Sequence, residues 1–269
     1  MTTPIQSLEK DGMKVFYRAS SVDKAVIDEI FDDDIYLQSV PEYQPKPSDI
    51  IIDIGAHIGI FSMKMSPKVS KIYSFEAARE TFELLKKNVE SNQLTNIQIY
   101  HCAVAKNTGT VTLYHDLESG NWGHSITAQL SSSSEQVPSI SLNDFIEQEQ
   151  LQKIDYAKFN CEGAEFDILY NTKPEYLKRI KVIALLWHEN LVAGSSYKDL
   201  MKYLSQHGFR CVLRFNYKES KNGWITAYRA GFTENIRIKW RALPFTFNLF
   251  AAEMKRKLNR VFVKTGVKK

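Results

Sequence analysis

Short apolar runs alternate along most of this chain with segments whose apolar residues recur at spacings of three and four, the marks of buried strands and amphipathic helices. DIIIDI, starting at residue 49, reads as a strand and IGIFSMKM as a helix. KIYSFE is the next strand and ARETFELLKKNVESN a long amphipathic helix, followed by a strand at NIQIYHCAV. After the turn at Lys106-Asn107-Thr108-Gly109, TGTVTLYHD looks like one arm of a hairpin. SLNDFIEQEQL reads as a helix with Ser141 as N-cap, DYAKFN as a strand and GAEFDILYN as a helix. KVIALLWHE is a strand and YKDLMKYLSQHG a helix ending on Gly208; FRCVLRF and GWITAYRA form two closing strands. Alternation of this kind predicts an α/β fold: a mostly parallel sheet covered by helices on both faces and finished by an antiparallel hairpin.

Three stretches fall outside that rhythm. Residues 1–47 read as a lead-in, with a strand at KVFYRA, a helix at VDKAVIDEIF capped by Ser21, and the proline-bearing linker VPEYQPKPSD. The middle stretch LESGNWGHSITAQLSSSSEQVP reads as loop, with a serine run at 131–134. Residues 233–269 form a basic tail, so the main domain is expected at 48–232.

Length and composition suit one sizeable α/β domain with short extensions; there are 269 residues and no run of apolar residues long enough to span a bilayer. The three cysteines, Cys102, Cys161 and Cys211, match neither a disulfide framework nor a zinc knuckle. The N-terminus lacks the basic and apolar regions of a signal peptide, so a reducing cytoplasm is the expected location. Charge is unevenly placed. From Arg237 onward there are ten Lys/Arg against one acid, a net +9, so the first 236 residues carry −5 of the overall +4. Within the tail, Phe247, Phe250, Met254, Leu258 and Val261 keep helical spacing while Lys255, Lys257 and Arg260 fall mostly off that stripe. Such a helix either docks on the domain with a solvated basic face or contacts an anionic membrane surface or glycan carrier. No nucleic-acid partner is indicated, and oligomeric state is not written in the sequence.

The chemistry gathers where the first core strand turns into its helix, at Asp53-Ile54-Gly55-Ala56-His57-Ile58-Gly59. A dinucleotide site requires G-x-G-x-x-G, and the middle glycine is missing here. An acid at that strand end repels a diphosphate but attracts an amino group or a sulfonium. Glu76 ends the second strand, the place from which a carboxylate accepts both hydroxyls of an adenosine ribose. Together Asp53 and Glu76 favour S-adenosylmethionine over a nicotinamide dinucleotide. The small residues Cys102 and Ala103 would line an adenine slot, with no reactive thiol implied.

DIIIDIGAHIGIFSMKM, IYSFEAARETFELLKKNVE, IQIYHCAVAKNTGTVTLYH, SISLNDFI and DYAKFNCEGAEFDIL, in this order, resemble the FkbM-type methyltransferase family. The resemblance covers residues from about 35 to 215. It implies a Rossmann-like class I fold with a seven-stranded, mostly parallel sheet, and S-adenosylmethionine-dependent methyl transfer to a hydroxyl of a sugar, glycan or natural product. By the same resemblance Tyr36 closes over the donor, and Gly55, Ala56, His57, Gly59 and Ala77 belong to the donor site. Three positions depart from the family pattern: His57 stands for Asn, Ala77 for Pro, and Asn160 for the Asp of the Lys-x-Asp block. Asn160, at the end of the fourth strand, can hydrogen-bond but cannot serve as a base.

Methyl transfer to a hydroxyl needs a base for the acceptor's proton. His188 ends the apolar strand KVIALLWHE at the carboxyl edge of the sheet, where a neutral imidazole would accept a proton near pH 7; its plainer reading is a strand-end histidine bonded to a loop. Glu162 is the second candidate, on the sharp turn of NCEGAE, and Glu165 suits a helix N-terminus. His124 and Ser125 sit in a loop able to cover the site, beside Trp122, whose ring could stack on a sugar or on adenine. No residue set has the spacing of a metal site.

Overall fold

The computed structural model describes residues 4–116, 123–217, 219 and 221–230. Trp122 and the basic tail lie outside the described residues. The chain opens with a hairpin of β1 (Ile5–Lys10) and β2 (Met13–Arg18), then α1 (Asp23–Phe31) and a short α2 (Ile35–Gln38). Asp11 and Gly12 both hold positive φ between the two strands, the backbone that a tight two-residue hairpin demands. The first strand was not expected, because IQSLEK faces solvent on nearly every residue and shows no apolar alternation. Ser21 does not cap α1 as expected. Its Oγ accepts from the amide of Asp23, the first helical residue, while Val22 occupies the cap position.

The core follows as β3 (Ile50–Ile54), α3 (Ile60–Met65), β4 (Lys71–Glu76), α4 (Arg79–Ser91) and β5 (Ile97–His101). A small sheet is then built from β6 (Ala103–Ala105), β7 (Gly109–Tyr114) and β8 (Ser134–Ser141). The chain returns through α5 (Leu142–Gln148), β9 (Tyr156–Phe159), α6 (Ala164–Asn171), a short α7 (Pro174–Leu177), β10 (Val182–His188), α8 (Tyr197–Gln206), β11 (Arg210–Tyr217) and β12 (Asn222–Tyr228). The expected strand at NIQIYHCAV is therefore two strands. It leaves the main sheet after His101, and Ala103–Ala105 pairs with β8 instead. The last five residues of the expected loop are also strand: β8 buries Val137, Ser139 and Ser141 on alternate positions, where serine conceals the period of two.

The seven-stranded sheet runs β11-β12-β10-β9-β3-β4-β5, and β12, inserted between β10 and β11, is antiparallel to both neighbours. Its neighbours from β10 through β5 pair in parallel, the topology of the class I methyltransferase fold. Alternation along the strands divides the core. Ile52, Ile54, Ala157 and Phe159 pack with α5, α6 and α8, whereas Ile51 and Tyr156 pack with α1, α3 and α4. Chain order reverses between β3 and β9, which opens a crevice at their carboxyl ends.

The free edge of β2 is sealed by a helix. Asn88 of α4 accepts from the amide of Phe16 and donates to its carbonyl, at 2.7 and 3.0 Å; Asn92, one turn on, does the same for Lys14 at 2.9 and 2.8 Å. Residues four apart on a helix thus match residues two apart on a strand. Asn88 Nδ2 also donates to the carbonyl of Ile58, inside the glycine turn.

Candidate active site

A cavity of about 690 Å3 lies at the carboxyl ends of β3, β4, β9 and β10, within the size range of small-ligand pockets. Gly55, Ala56 and His57 form its floor. Gly55 holds φ +76°, and a Cβ there would overlap the carbonyl of Asn160, so the turn after β3 and the end of β9 are in contact because position 55 has no side chain. Gly59 serves a different purpose from the one expected. It precedes α3 with φ +89°, packs against Leu85, and is not among the cavity-lining residues.

Asp53 also lies away from the cavity lining. It faces Lys158 across neighbouring strands, and their side chains form a buried ion pair at 2.7 Å. The other carboxylate oxygen accepts from Ser62 at 2.7 Å. Burial disfavours the charge on Lys158, but the adjoining Asp53 carboxylate outweighs it and raises the amine's pKa. Lys158 donates as well to the carbonyl of Gly55 at 2.8 Å and lies 5.1 Å from the centre of the Tyr36 ring. The strand-end acid, expected to meet the donor, therefore anchors the turn from beneath, behind the cavity lining.

Glu76 and Ala77 do line the cavity. One Glu76 oxygen accepts from the His57 amide and the other from the Ala78 amide, each at 2.9 Å, which fixes the carboxylate while leaving lone pairs for a diol. His57 adopts φ +54°. Its Nε2 lies 3.2 Å from Asp23 Oδ1, within a fully buried pair in which Arg18 donates to both oxygens of Asp23. Burial would raise the Asp23 carboxyl, but His57 and Arg18 hold it well below the usual range. Arg18 also donates to Thr81, so the hairpin, α1 and α4 meet beneath the glycine turn. Neither Arg18 nor Asp23 belongs to a motif, and only their juxtaposition in space reveals them.

Cys102, Ala103 and Val104 line the flank of the cavity beyond β4. Burial pushes the Cys102 thiol up to about 11 and holds Cys161 well above its ordinary value, so neither is a thiolate at neutral pH. Tyr36 closes the opposite flank; its ring lies 5.0 Å from both Phe61 and Trp224, and its hydroxyl accepts from Asn160 Nδ2 at 3.4 Å.

The base candidates form one cluster. His188 is buried, with Nδ1 3.1 Å from Glu165 and Nε2 3.3 Å from Glu162. Burial disfavours its charge, yet the two carboxylates, with the Glu165 hydrogen bond, raise its pKa to about 9. This environment favours the protonated imidazole and stands against the neutral base expected from the sequence. Glu165, fully buried, also accepts from the amides of Gly163 and His188. Glu162 lines the cavity at φ +48°, and burial raises its carboxyl above the usual range. Its carbonyl accepts from Ser125 at 2.7 Å and from Thr127 at 3.2 Å. Ser125 is accordingly buried in a turn rather than offered to a substrate. His124 lines the cavity, with Nδ1 accepting from the Asp116 amide at 3.1 Å; burial lowers its pKa to about 4, so it is neutral.

Three polar atoms on the cavity wall are buried with no partner: His57 Nδ1, Asn160 Oδ1 and Trp224 Nε1. A polar ligand would satisfy them, and the lining suits S-adenosylmethionine: small residues for adenine, Glu76 for ribose, and the Asn160 Oδ1 acceptor for a cationic amino-acid end. Among the described residues no cluster of His, Cys, Asp and Glu could hold a metal, and no helix is long and apolar enough to cross a membrane.

Similarity to known proteins agrees with this geometry. "Methyltransferase 1" of Beauveria bassiana (strain ARSEF 2860) is 28% identical over 165 residues, 53% of this chain and 66% of that protein. "Methyltransferase sdnD" of Sordaria araneosa is 30% identical over 118 residues, 42% of this chain and 43% of that protein. The chain thus spans less than two thirds of either relative. Among solved structures, a methyltransferase FkbM from Methylobacillus flagellatus KT shares 14% identity at a TM-score of 0.49, covering 71% of this chain and 47% of that one. Residues 53–211 match the Methyltransferase FkbM domain, and the chain belongs to that family of S-adenosylmethionine-dependent methyltransferases.

Proposed function

We propose that this enzyme methylates a hydroxyl of a sugar, glycan or natural-product acceptor, with Glu162 taking the proton. The bound donor supplies an electrophilic methyl on sulfonium sulfur. The protein's part is to align an acceptor oxygen and to receive its hydrogen. The observation that carries this reading is the Glu162–His188–Glu165 cluster on the cavity wall. With both carboxylates ionised and the imidazole protonated it holds a net charge of −1, leaving room for one proton. His188 offsets part of the cost of burying the Glu162 charge, and Glu165 steadies His188 from behind. Glu162 is therefore the proton acceptor and His188 its counter-charge. Trp224 Nε1, a buried donor without a partner, supports an oxygen-bearing acceptor. Leu186, Phe215 and Tyr217 provide an apolar wall for a ring face on that side.

Formation of S-adenosylhomocysteine would be followed with methyl-labelled donor and a panel of sugars, macrolactones and amines. Hydroxylated acceptors should be methylated, and exclusive transfer to amines would refute the assignment. Glu162→Gln should lower turnover by about 10²–10⁴-fold while leaving affinity for S-adenosylhomocysteine unchanged.

A further inference from the structure

Two rows of side chains cross the antiparallel end of the main sheet. Strand register sets Leu186 of β10 beside Trp224 of β12, and Trp224 beside Phe215 of β11. Two residues on, it sets His188 beside Asn222, and Asn222 beside Tyr217. Residues two apart on a strand share a face, and all six line the cavity. The row that carries His188 therefore runs alongside an apolar one.

That apolar row is left unfinished. Leu186 and Phe215 remain half-buried, although both pack against the cluster that buries Trp224. Val26 of α1 and Ile35 of α2 pack against the same cluster, line the same cavity and are half-buried too. Tyr36 links the two groups, with its ring 5.0 Å from that of Trp224. Asn222, the polar member of the second row, is already engaged within the protein. Hydrocarbon from widely separated stretches of chain thus faces one cavity, next to the residues that handle the proton. Covering it favours a ligand that is itself apolar. A sugar would exchange the water on its many hydroxyls for hydrocarbon, which is unfavourable. We propose that the acceptor carries its hydroxyl on an apolar ring or chain, seated on Leu186, Trp224 and Phe215 and flanked by Ile35. The proposal rests on hydroxyl methylation at Glu162 and narrows that reading to alcohols with an apolar body.

Calorimetry on protein saturated with S-adenosylhomocysteine tests it with two ring-shaped probes, cyclooctanol and methyl α-glucoside. Cyclooctanol should bind more tightly than the glucoside by about tenfold or more, with a negative heat-capacity change. Phe215→Ser and Ile35→Ser should each weaken cyclooctanol by about five- to twentyfold and leave affinity for S-adenosylhomocysteine unchanged. Glucoside binding as tight as that of cyclooctanol, or no binding of cyclooctanol, would overturn the proposal. So would undiminished cyclooctanol affinity in either variant, or a parallel loss of S-adenosylhomocysteine affinity. Cyclooctanol binding combined with methyl transfer to amines alone would refute the hydroxyl reading while upholding the apolar seat.

Discussion

Single residues set the proton inventory of the site, and His188 dominates it. Its pKa rises from 6.5 to about 9 on folding, so its contribution to stability is fully present below about pH 6.5 and is lost as pH climbs through about 9. Wild-type protein should therefore lose on the order of 2–4 kcal/mol relative to His188→Gln across that window, read as diverging melting temperatures. Parallel curves would mean that the imidazole is neutral in the fold. Glu162 is shifted in the same direction, and its effect is read in turnover. Burial lifts its carboxyl above the ordinary value of 4.5, and turnover should fall on the acid side as it takes up a proton. A pH–rate profile whose acid midpoint lies above 4.5, and which flattens in Glu162→Gln, would bear this out. The positions of these residues were readable in the sequence because strand ends are readable. Their charge states were not, since three groups from separate stretches of chain had to converge before any of them could be assigned. Asp53 shows the same limit: an acid at a strand end was plain, but its partner Lys158 is set by the register of two strands about a hundred residues apart.

Elements were legible wherever the apolar period was clean. The strands and helices of the main sheet, and the Ser141 cap, follow from pattern alone. In the fold Ser141 Oγ accepts from the Asp144 amide at 3.0 Å. Ser141→Ala should cost about 1 kcal/mol in chemical denaturation, and a loss below about 0.3 kcal/mol would show that solvent serves the helix end equally well. Elements built on polar residues carry no such period. β1 is exposed, β8 buries serines, and β6 is too short to carry a period. The N-terminal hairpin and α1, a lead-in by sequence, supply the buried Arg18–Asp23 pair that backs His57. Removing one partner from such a pair leaves a buried charge unmatched, so Arg18→Ala should destabilise the fold by about 3–5 kcal/mol. A change near zero in urea unfolding would show that water replaces the guanidinium.

At the scale of the whole molecule, charge and cooperativity are the properties that matter. The basic stretch from Arg237 onward, on a body of net −5, should favour anionic over neutral vesicles in sedimentation, and removal of residues 237–269 should abolish the preference. Equal recovery of both proteins in the supernatant would remove membrane contact from consideration. The asparagine pair of α4 has a further outcome. Because the amides of Lys14 and Phe16 bond to the Asn92 and Asn88 side chains, they are protected from deuterium exchange while β2 stays docked on the helix. Asn88 also holds the Ile58 carbonyl inside the glycine turn, so the same side chain joins the two segments. The outermost strand and the donor-binding turn should therefore open as a single unit, with shared exchange rates that slow together when S-adenosylhomocysteine binds. Asn88→Ala should divide that unit in two and let the hairpin exchange early, while the turn keeps its protection.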